Sequence, residues 1–465
     1  GHHVCAPMGQ PVTKTAFVGG PDAVDIEGGY SLHLPNPRQR ARVKRMRIVD
    51  EQTLIARLAS LPDGSRIVAP GNFATPFTML RIVDQALDTY RLNMLNAQCG
   101  IPDRPGVYYE TSFVGAGMRG HPRLSYYPAR LSMVPHLYAG RLAPQVVVLH
   151  VSSPRGTGHQ RTVSMGIEVN VLPAAIEACR SQGGVVVAAI NKHMPYTEGH
   201  SVISTEDIDL AIEIDEPLLT HEPKQPDDDS QRIGDLVAAR IVDGSALQTG
   251  IGAVPDAVLA RLGERKGLRM WTETFADGVL DLERQGAFNK DLPLVTTFLF
   301  GSQELYDWAD GNDRLRVLRT EKVNDPARIA KNPLMVSVNT ALQVDLFLQA
   351  NASRINHTIY SGFGGQTDFI VGAMHSPGGQ AMIALKSWHP RADVSTIVGS
   401  LKDPTTSMQM SCVVTEQGVT EVYGFTQEEQ AVGLITNSAH PDAREGLWKQ
   451  AKKLGLVKKR KHRAG

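Results

Sequence analysis

Apolar residues recur at three- and four-residue spacing in "IVDEQTLIARLASL" (48–61), which predicts a helix. "SRIVAPG" (65–71) reads as a short strand closed by Pro and Gly. "TPFTMLRIVDQAL" (75–87) reads as a helix with Thr75 as N-cap and Pro76 in the first turn. Unbroken apolar runs in "PQVVVLHVS" (144–152) and "GGVVVAAIN" (183–191) read as buried strands, and "VLPAAIEACRSQG" (171–183) between them as a helix ending on glycine. Strand–helix–strand order of this kind predicts a parallel or mixed sheet covered by helices.

The hydrophobic signal stops around "DEPLLTHEPKQPDDDSQ" (215–231), where prolines and three aspartates suggest a linker. Beyond it the α/β style resumes. "SQRIGDLVAARIV" (230–242) and "VPDAVLARLGER" (254–265) read as helices; "SALQTGIG" (245–252), "GLRM" (267–270), "LMVSVN" (334–339), "AMIAL" (381–385) and "CVVTE" (412–416) read as strands. The expected division is an N-terminal arm (1–45), an α/β domain (46–218), a linker (219–231), a second α/β domain (232–457) and a basic tail (458–465).

The 465-residue chain is 42% hydrophobic, enough for a substantial core. Lys+Arg and Asp+Glu both number 48, so no global field gathers nucleic acid or anionic membrane. Four cysteines (Cys5, Cys99, Cys179, Cys412) without a CxxC pair suggest neither a disulfide framework nor a zinc site. No apolar run approaches the roughly 18–20 residues of a membrane span. The expectation is a soluble, cytoplasmic protein.

Three glycine-bearing strand exits could bring backbone N–H groups close to a ligand: "APGNFATP" (69–76), "TGIGAVPDAV" (249–258) and "SGFGGQTDF" (361–369). The first two lead into predicted helices. None matches a P-loop or the full GxGxxG fingerprint. There is no G-x-S-x-G elbow, no H-E-x-x-H and no clustered metal-ligand set, so no metal is expected. His440 reads as a cap at a helix start, before Pro441 and Asp442. What remains is carboxylate chemistry. Glu273, in "WTETFADG" (271–278), and Glu416, after "SCVVT", both stand at strand exits, where open α/β sheets place functional groups. From pattern alone each also reads as a surface or hydrogen-bonded structural glutamate.

Several separated stretches, in one order from about residue 48 to 456, resemble the acetyl-CoA hydrolase/transferase group of class I CoA-transferases. They include "YYPARLSMVPHL" (126–137), "NKHMPYTEG" (191–199), "GIGAVPDAVL" (250–259), "WTETFADGVLDL" (271–282), "VNDPARIAKNPLMVSVNTALQVDL" (323–346), "YSGFGGQTDFIVGA" (360–373), "VVTEQGV" (413–419) and "AHPDAREGL" (439–447). The resemblance implies two related open α/β domains of the CoA-transferase (NagB/RpiA-like) type, with the active site at their interface, in a homodimer. It implies Glu273 as nucleophile, Gly364 and Gly365 as oxyanion-hole donors, and Asn339 and Glu416 as orienting residues. It places Gly250, Gly252, Gly362, Gly364 and Gly365 along the coenzyme A side. The substrates it implies are an acyl-CoA and a small carboxylate, with no permanently bound cofactor. CoA transfer is the leading activity, with acyl-CoA hydrolysis and non-catalytic acyl-CoA binding as alternatives.

The chain departs from the family pattern in "SSPRGTGHQ" (152–160), at Trp388, His389 and Pro390, and in "PTTSMQMSC" (404–412), where Ser407 stands about where an arginine is expected. These changes spare Glu273 and the glycine loop and suggest a bulkier or more polar acyl group than acetate.

Overall fold

The computed structural model describes residues 46–457; the expected arm (1–45), with Cys5, and the basic tail (458–465) lie outside the described residues. Eight strands form an all-parallel first sheet in the order Arg47–Ile48, Leu210–Ile214, Val185–Asn191, Val146–Val151, Ser65–Val68, Tyr90–Asn93, Val107–Thr111, Leu124–Tyr126. Every residue of the two central strands Val146–Val151 and Val185–Asn191 is buried. That is why these strands lack alternation: helices cover both faces of a parallel sheet. Helix Glu51–Ala59 shows the opposite pattern, turning only Leu54 and Leu58 inward, with Asp50 accepting from the Thr53 N–H at its start.

A second sheet runs Arg269–Met270, Ala246–Thr249, Met335–Asn339, Gln380–Ala384, Cys412–Thr415, all parallel, and closes with antiparallel Gly418–Glu421. Leu149, Val151 and Ile190 of the first sheet belong to the same continuous apolar cluster as Leu247, Val336 and Met382 of the second. The two sheets therefore share a core, and the described residues are one compact unit.

Local boundaries differ from expectation at three places. Thr75 does not cap its helix: the helix is Phe77–Ala86, Pro76 precedes it without a side-chain cap, and the Thr75 hydroxyl donates to the Asn72 carbonyl instead. The three aspartates read as linker start a helix, Asp228–Ala238. Asp227 is its N-cap, accepting from the Ser230 N–H, and Asp228 and Asp229 fill the first turn, where the helix dipole favours acids. The third glycine exit also leads into a helix, Gln366–His375, with Gly365 as its N-cap. His440 caps as expected, its Nδ1 accepting from the Asp442 N–H at 3.3 Å.

Candidate active site

The carboxyl ends of three neighbouring strands of the second sheet, at Thr249, Asn339 and Ala384, open into a cleft of about 250 Å³ that also contains Glu273 and the loop 361–366. Open parallel sheets bind ligands at this edge because strand exits there leave the backbone free to meet them.

The chain leaves strand Arg269–Met270 at Trp271, whose ring is buried and whose Nε1 donates to the Val323 carbonyl at 2.8 Å. Two residues on, the Glu273 carbonyl is gripped by the Thr297 N–H (3.0 Å), Thr296 Oγ1 (2.8 Å) and Thr297 Oγ1 (3.0 Å). With the Phe298 N–H at 3.3 Å, four donor groups converge on the backbone carbonyl of this glutamate. Its side chain is partly exposed at the cleft, yet protein encloses the carboxyl, and that burial raises its pKa to about 7. Asn324 Nδ2, donating to Glu273 Oε2 at 2.7 Å, works against the rise, and the nearby Asp368 carboxyl adds to it.

Gly365 packs against this carboxyl. A β-carbon there would stand 1.9 Å from Glu273 Oε2 and 2.4 Å from Asn324 Nδ2, so no other residue fits without moving the Glu273 carboxyl. Gly364 takes φ +54°, a left-handed conformation that glycine adopts without strain. Its carbonyl accepts from the Leu131 N–H at 2.8 Å. A β-carbon on Gly362 would stand 2.4 Å from the Ser112 carbonyl oxygen. The glycine loop is therefore clasped by Ser112 and Leu131, on either side of the first sheet's edge strand Leu124–Tyr126 in the chain. Asp368, one turn into the following helix, accepts from Ser132 N (3.1 Å) and Ser132 Oγ (2.8 Å), with Arg130 at 3.5 Å. The site's glycine loop is held by both halves of the chain.

Of the residues expected at the site, Glu273, Asn339, Gly250, Gly362, Gly364 and Gly365 line this one cleft. Asn339 donates to Ser337 Oγ (2.8 Å) and Gln248 Oε1 (3.2 Å). Gly252 is not in the lining; at φ +111° it starts helix Ala253–Ala260, while its neighbour Ile251 faces the cleft. Glu416 is also absent from the lining. It is buried, accepts from the Ser387 N–H at 2.9 Å and from the Ser387 hydroxyl, and so holds the turn after strand Gln380–Ala384. Asn324 was missed, although it lies within "VNDPARIAKN". The signal available was its place just before the Asp325–Pro326 helix start.

The segments that depart from the family pattern take different places. Arg155 pairs with Asp310 at 3.2 Å and stacks on Tyr196. Trp388 forms a two-residue hairpin with Val394–Ser395 and lies 4.8 Å from the His440 ring. Thr405, Thr406 and Met408 join Arg354 and Tyr126 around a second cavity of about 210 Å³, which shares Ala352, Gly362, Phe363 and Gln366 with the cleft.

Comparison with known proteins gives this geometry a context. Residues 301–451 match the acetyl-CoA hydrolase/transferase C-terminal domain. The chain is 38% identical to a 4-hydroxybutyrate coenzyme A transferase of Clostridium kluyveri over 342 residues, covering 71% of this chain and 78% of that one. It is 33% identical to a succinyl-CoA:acetate/propanoyl-CoA:succinate CoA transferase of Fasciola hepatica, covering 84% and 85%. The crystal structure of RipA from Yersinia pestis superposes with a TM-score of 0.80 at 26% identity, covering 88% of this chain and 100% of that one. Fold, collinear sequence and matched domain agree, and the chain belongs to the acetyl-CoA hydrolase/transferase family of CoA-transferase enzymes.

Proposed function

We propose that the chain moves coenzyme A between a short acyl-CoA and a free carboxylic acid, with Glu273 as nucleophile. The observation that carries this reading is the Glu273 carboxyl itself: pinned through its backbone, packed on Gly365 and open to a cleft at the strand ends. The ionised carboxylate attacks the thioester carbonyl, the C–S bond breaks, and the products are an acyl-glutamyl anhydride and CoA thiolate. The thiolate attacks the glutamyl carbonyl, releases the first acid and leaves a glutamyl-CoA thioester. An acceptor carboxylate then runs the two steps in reverse. A serine would not serve, because its acyl ester would be too stable to exchange. Each attack builds an oxyanion, and the backbone N–H groups of Gly364 and Gly365 are the donors proposed to meet it, with Asn339 as an orienting residue. Gly250 and the glycine loop lie along the side proposed for coenzyme A. A cytoplasmic homodimer is the setting this reading expects.

Mass spectrometry after incubation with an acyl-CoA tests the covalent route. The expected result is a CoA-sized adduct on the peptide containing Glu273, absent in Glu273→Ala. Loss of the acyl-CoA is then followed with and without added carboxylic acids, with the new acyl-CoA and free CoA quantified separately, since transfer forms the first and hydrolysis the second. If acids never raise turnover, the activity is hydrolysis; if neither adduct nor turnover is found with any short acyl-CoA, the protein only binds its ligand.

A further inference from the structure

A second buried glutamate stands behind the nucleophile. Glu168 is 2% exposed and lies 105 residues earlier in the chain, where its backbone bridges to Phe298. Each of its carboxylate oxygens takes a different amide: Asn72 Nδ2 donates to Oε2 at 2.9 Å and Asn170 Nδ2 to Oε1 at 2.8 Å. Asn96 Nδ2 in turn donates to Asn72 Oδ1 at 2.7 Å. All three asparagines hold positive φ, +45° at Asn72, +47° at Asn96 and +40° at Asn170. Asparagine is among the non-glycine residues that enter this region most readily, and here the turn backbone at each position aims its amide into the cluster.

Asn170 is the hub of the arrangement. With its amide nitrogen committed to Glu168, its Oδ1 faces Thr297 Oγ1 at 2.9 Å, the same hydroxyl that reaches the Glu273 carbonyl. Its backbone carbonyl accepts from the Thr320 N–H at 2.9 Å, at the start of helix Thr320–Val323. That helix ends at Asn324, the residue that grips Glu273 Oε2. Both the backbone and the carboxylate of Glu273 are therefore referenced to Asn170, and the Glu168 carboxylate decides which way the Asn170 amide points.

We propose that Glu168 is a positioning residue for the nucleophile, acting through Asn170 on Thr297 and on the helix that carries Asn324. The proposal rests on Glu273 being the nucleophile of the reading above. Glu168→Gln keeps the volume but turns one acceptor into a donor, which must face an asparagine N–H. Asn170 then rotates or loses its partner.

The test compares the wild type, Glu168→Gln, Glu168→Asp and Thr297→Val for kcat, KM for the acyl-CoA and thermal midpoint. The expected result for Glu168→Gln is a kcat about 10- to 100-fold lower, the scale of a nucleophile displaced by about 1 Å. KM for the acyl-CoA should stay within about threefold, because substrate binding is not what the relay serves. Glu168→Asp, which restores the charge on a shorter arm, should recover part of the loss. Thr297→Val, which removes one hydroxyl and leaves the glutamate intact, should lower kcat in the same way even if Glu168→Gln does not fold. Variants that lose thermal midpoint while keeping the wild-type kcat would overturn the proposal and leave a structural role. A wild type without exchange or hydrolysis would overturn the nucleophile reading and this role together; active variants indistinguishable from the wild type would overturn this role alone.

Discussion

In the proposed reaction only the ionised Glu273 carboxyl attacks the thioester, and burial raises its pKa to about 7. The expected profile of kcat/KM therefore rises through an apparent pKa near 7, measured by formation of the acceptor's acyl-CoA across pH 5–9. The same raised pKa has a cost in stability. The folded state holds the proton more tightly than the unfolded chain, so stability from this group is fully present below the unfolded value near 4.3 and is lost as pH rises through the folded value near 7. Glu273→Gln removes that loss. Its thermal midpoint should match the wild type at pH 5 and exceed it at pH 8, by a margin on the order of 1–3 kcal/mol, while CoA transfer falls by about a thousandfold or more. A midpoint gap that does not grow with pH would show that the carboxyl is not strained by its enclosure. The local pattern of "WTETFADG" indicates a carboxylate at a strand exit and no more; the resemblance singles out Glu273. Asn324 and Glu168 escape such reading because one buried polar residue has no periodicity, and its meaning lies in distant partners: Glu273, 51 positions from Asn324, and Asn72, 96 from Glu168.

At the scale of elements, the helix Gln366–His375 and the glycine turn before it form one device. The turn is tight enough to press Gly365 on the Glu273 carboxyl, and the helix begins there without a side-chain cap. A β-carbon at Gly365 would overlap Glu273 Oε2, so Gly365→Ala should lower kcat by about 100-fold through displacement of the carboxylate. Overpacking should also cost about 1–3 kcal/mol of stability. Kinetics and a denaturant melt check both. The strands were legible as elements because buried parallel strands write unbroken apolar runs, as in Val146–Val151 and Val185–Asn191. Helix starts were less so. Asp227, Asp228 and Asp229 read as linker by charge, and only the observed cap bond to Ser230 shows them as a helix terminus.

At the scale of the molecule, the glycine loop and its helix are tied through Leu131, Ser132 and Arg130 to the connection between strands Leu124–Tyr126 and Val146–Val151 of the first sheet. Ser132→Ala removes the hydroxyl that donates to the fully buried Asp368 and leaves it the Ser132 backbone N–H and Arg130. The expected cost is about 1–3 kcal/mol, read as a lower thermal midpoint, with a parallel fall in CoA transfer because the same helix abuts Glu273. A loss of stability with unchanged turnover would show that the clasp does not reach the site.

The sequence by itself determined the α/β class, the order of strands and helices, and, through its resemblance to a family, the carboxylate that stands at the centre of the cleft. These are written in local runs and collinear motifs, which need no knowledge of distant neighbours. The tertiary structure decided the rest. It drew Asn339, Gly250 and the glycine loop into one cleft with Glu273, while Glu416 holds the turn at Ser387. It set Glu168 and three left-handed asparagines behind the nucleophile. Burial, hydrogen-bond partners and pKa arise from which surfaces meet when two sheets share a core, and no stretch of chain holds that information alone.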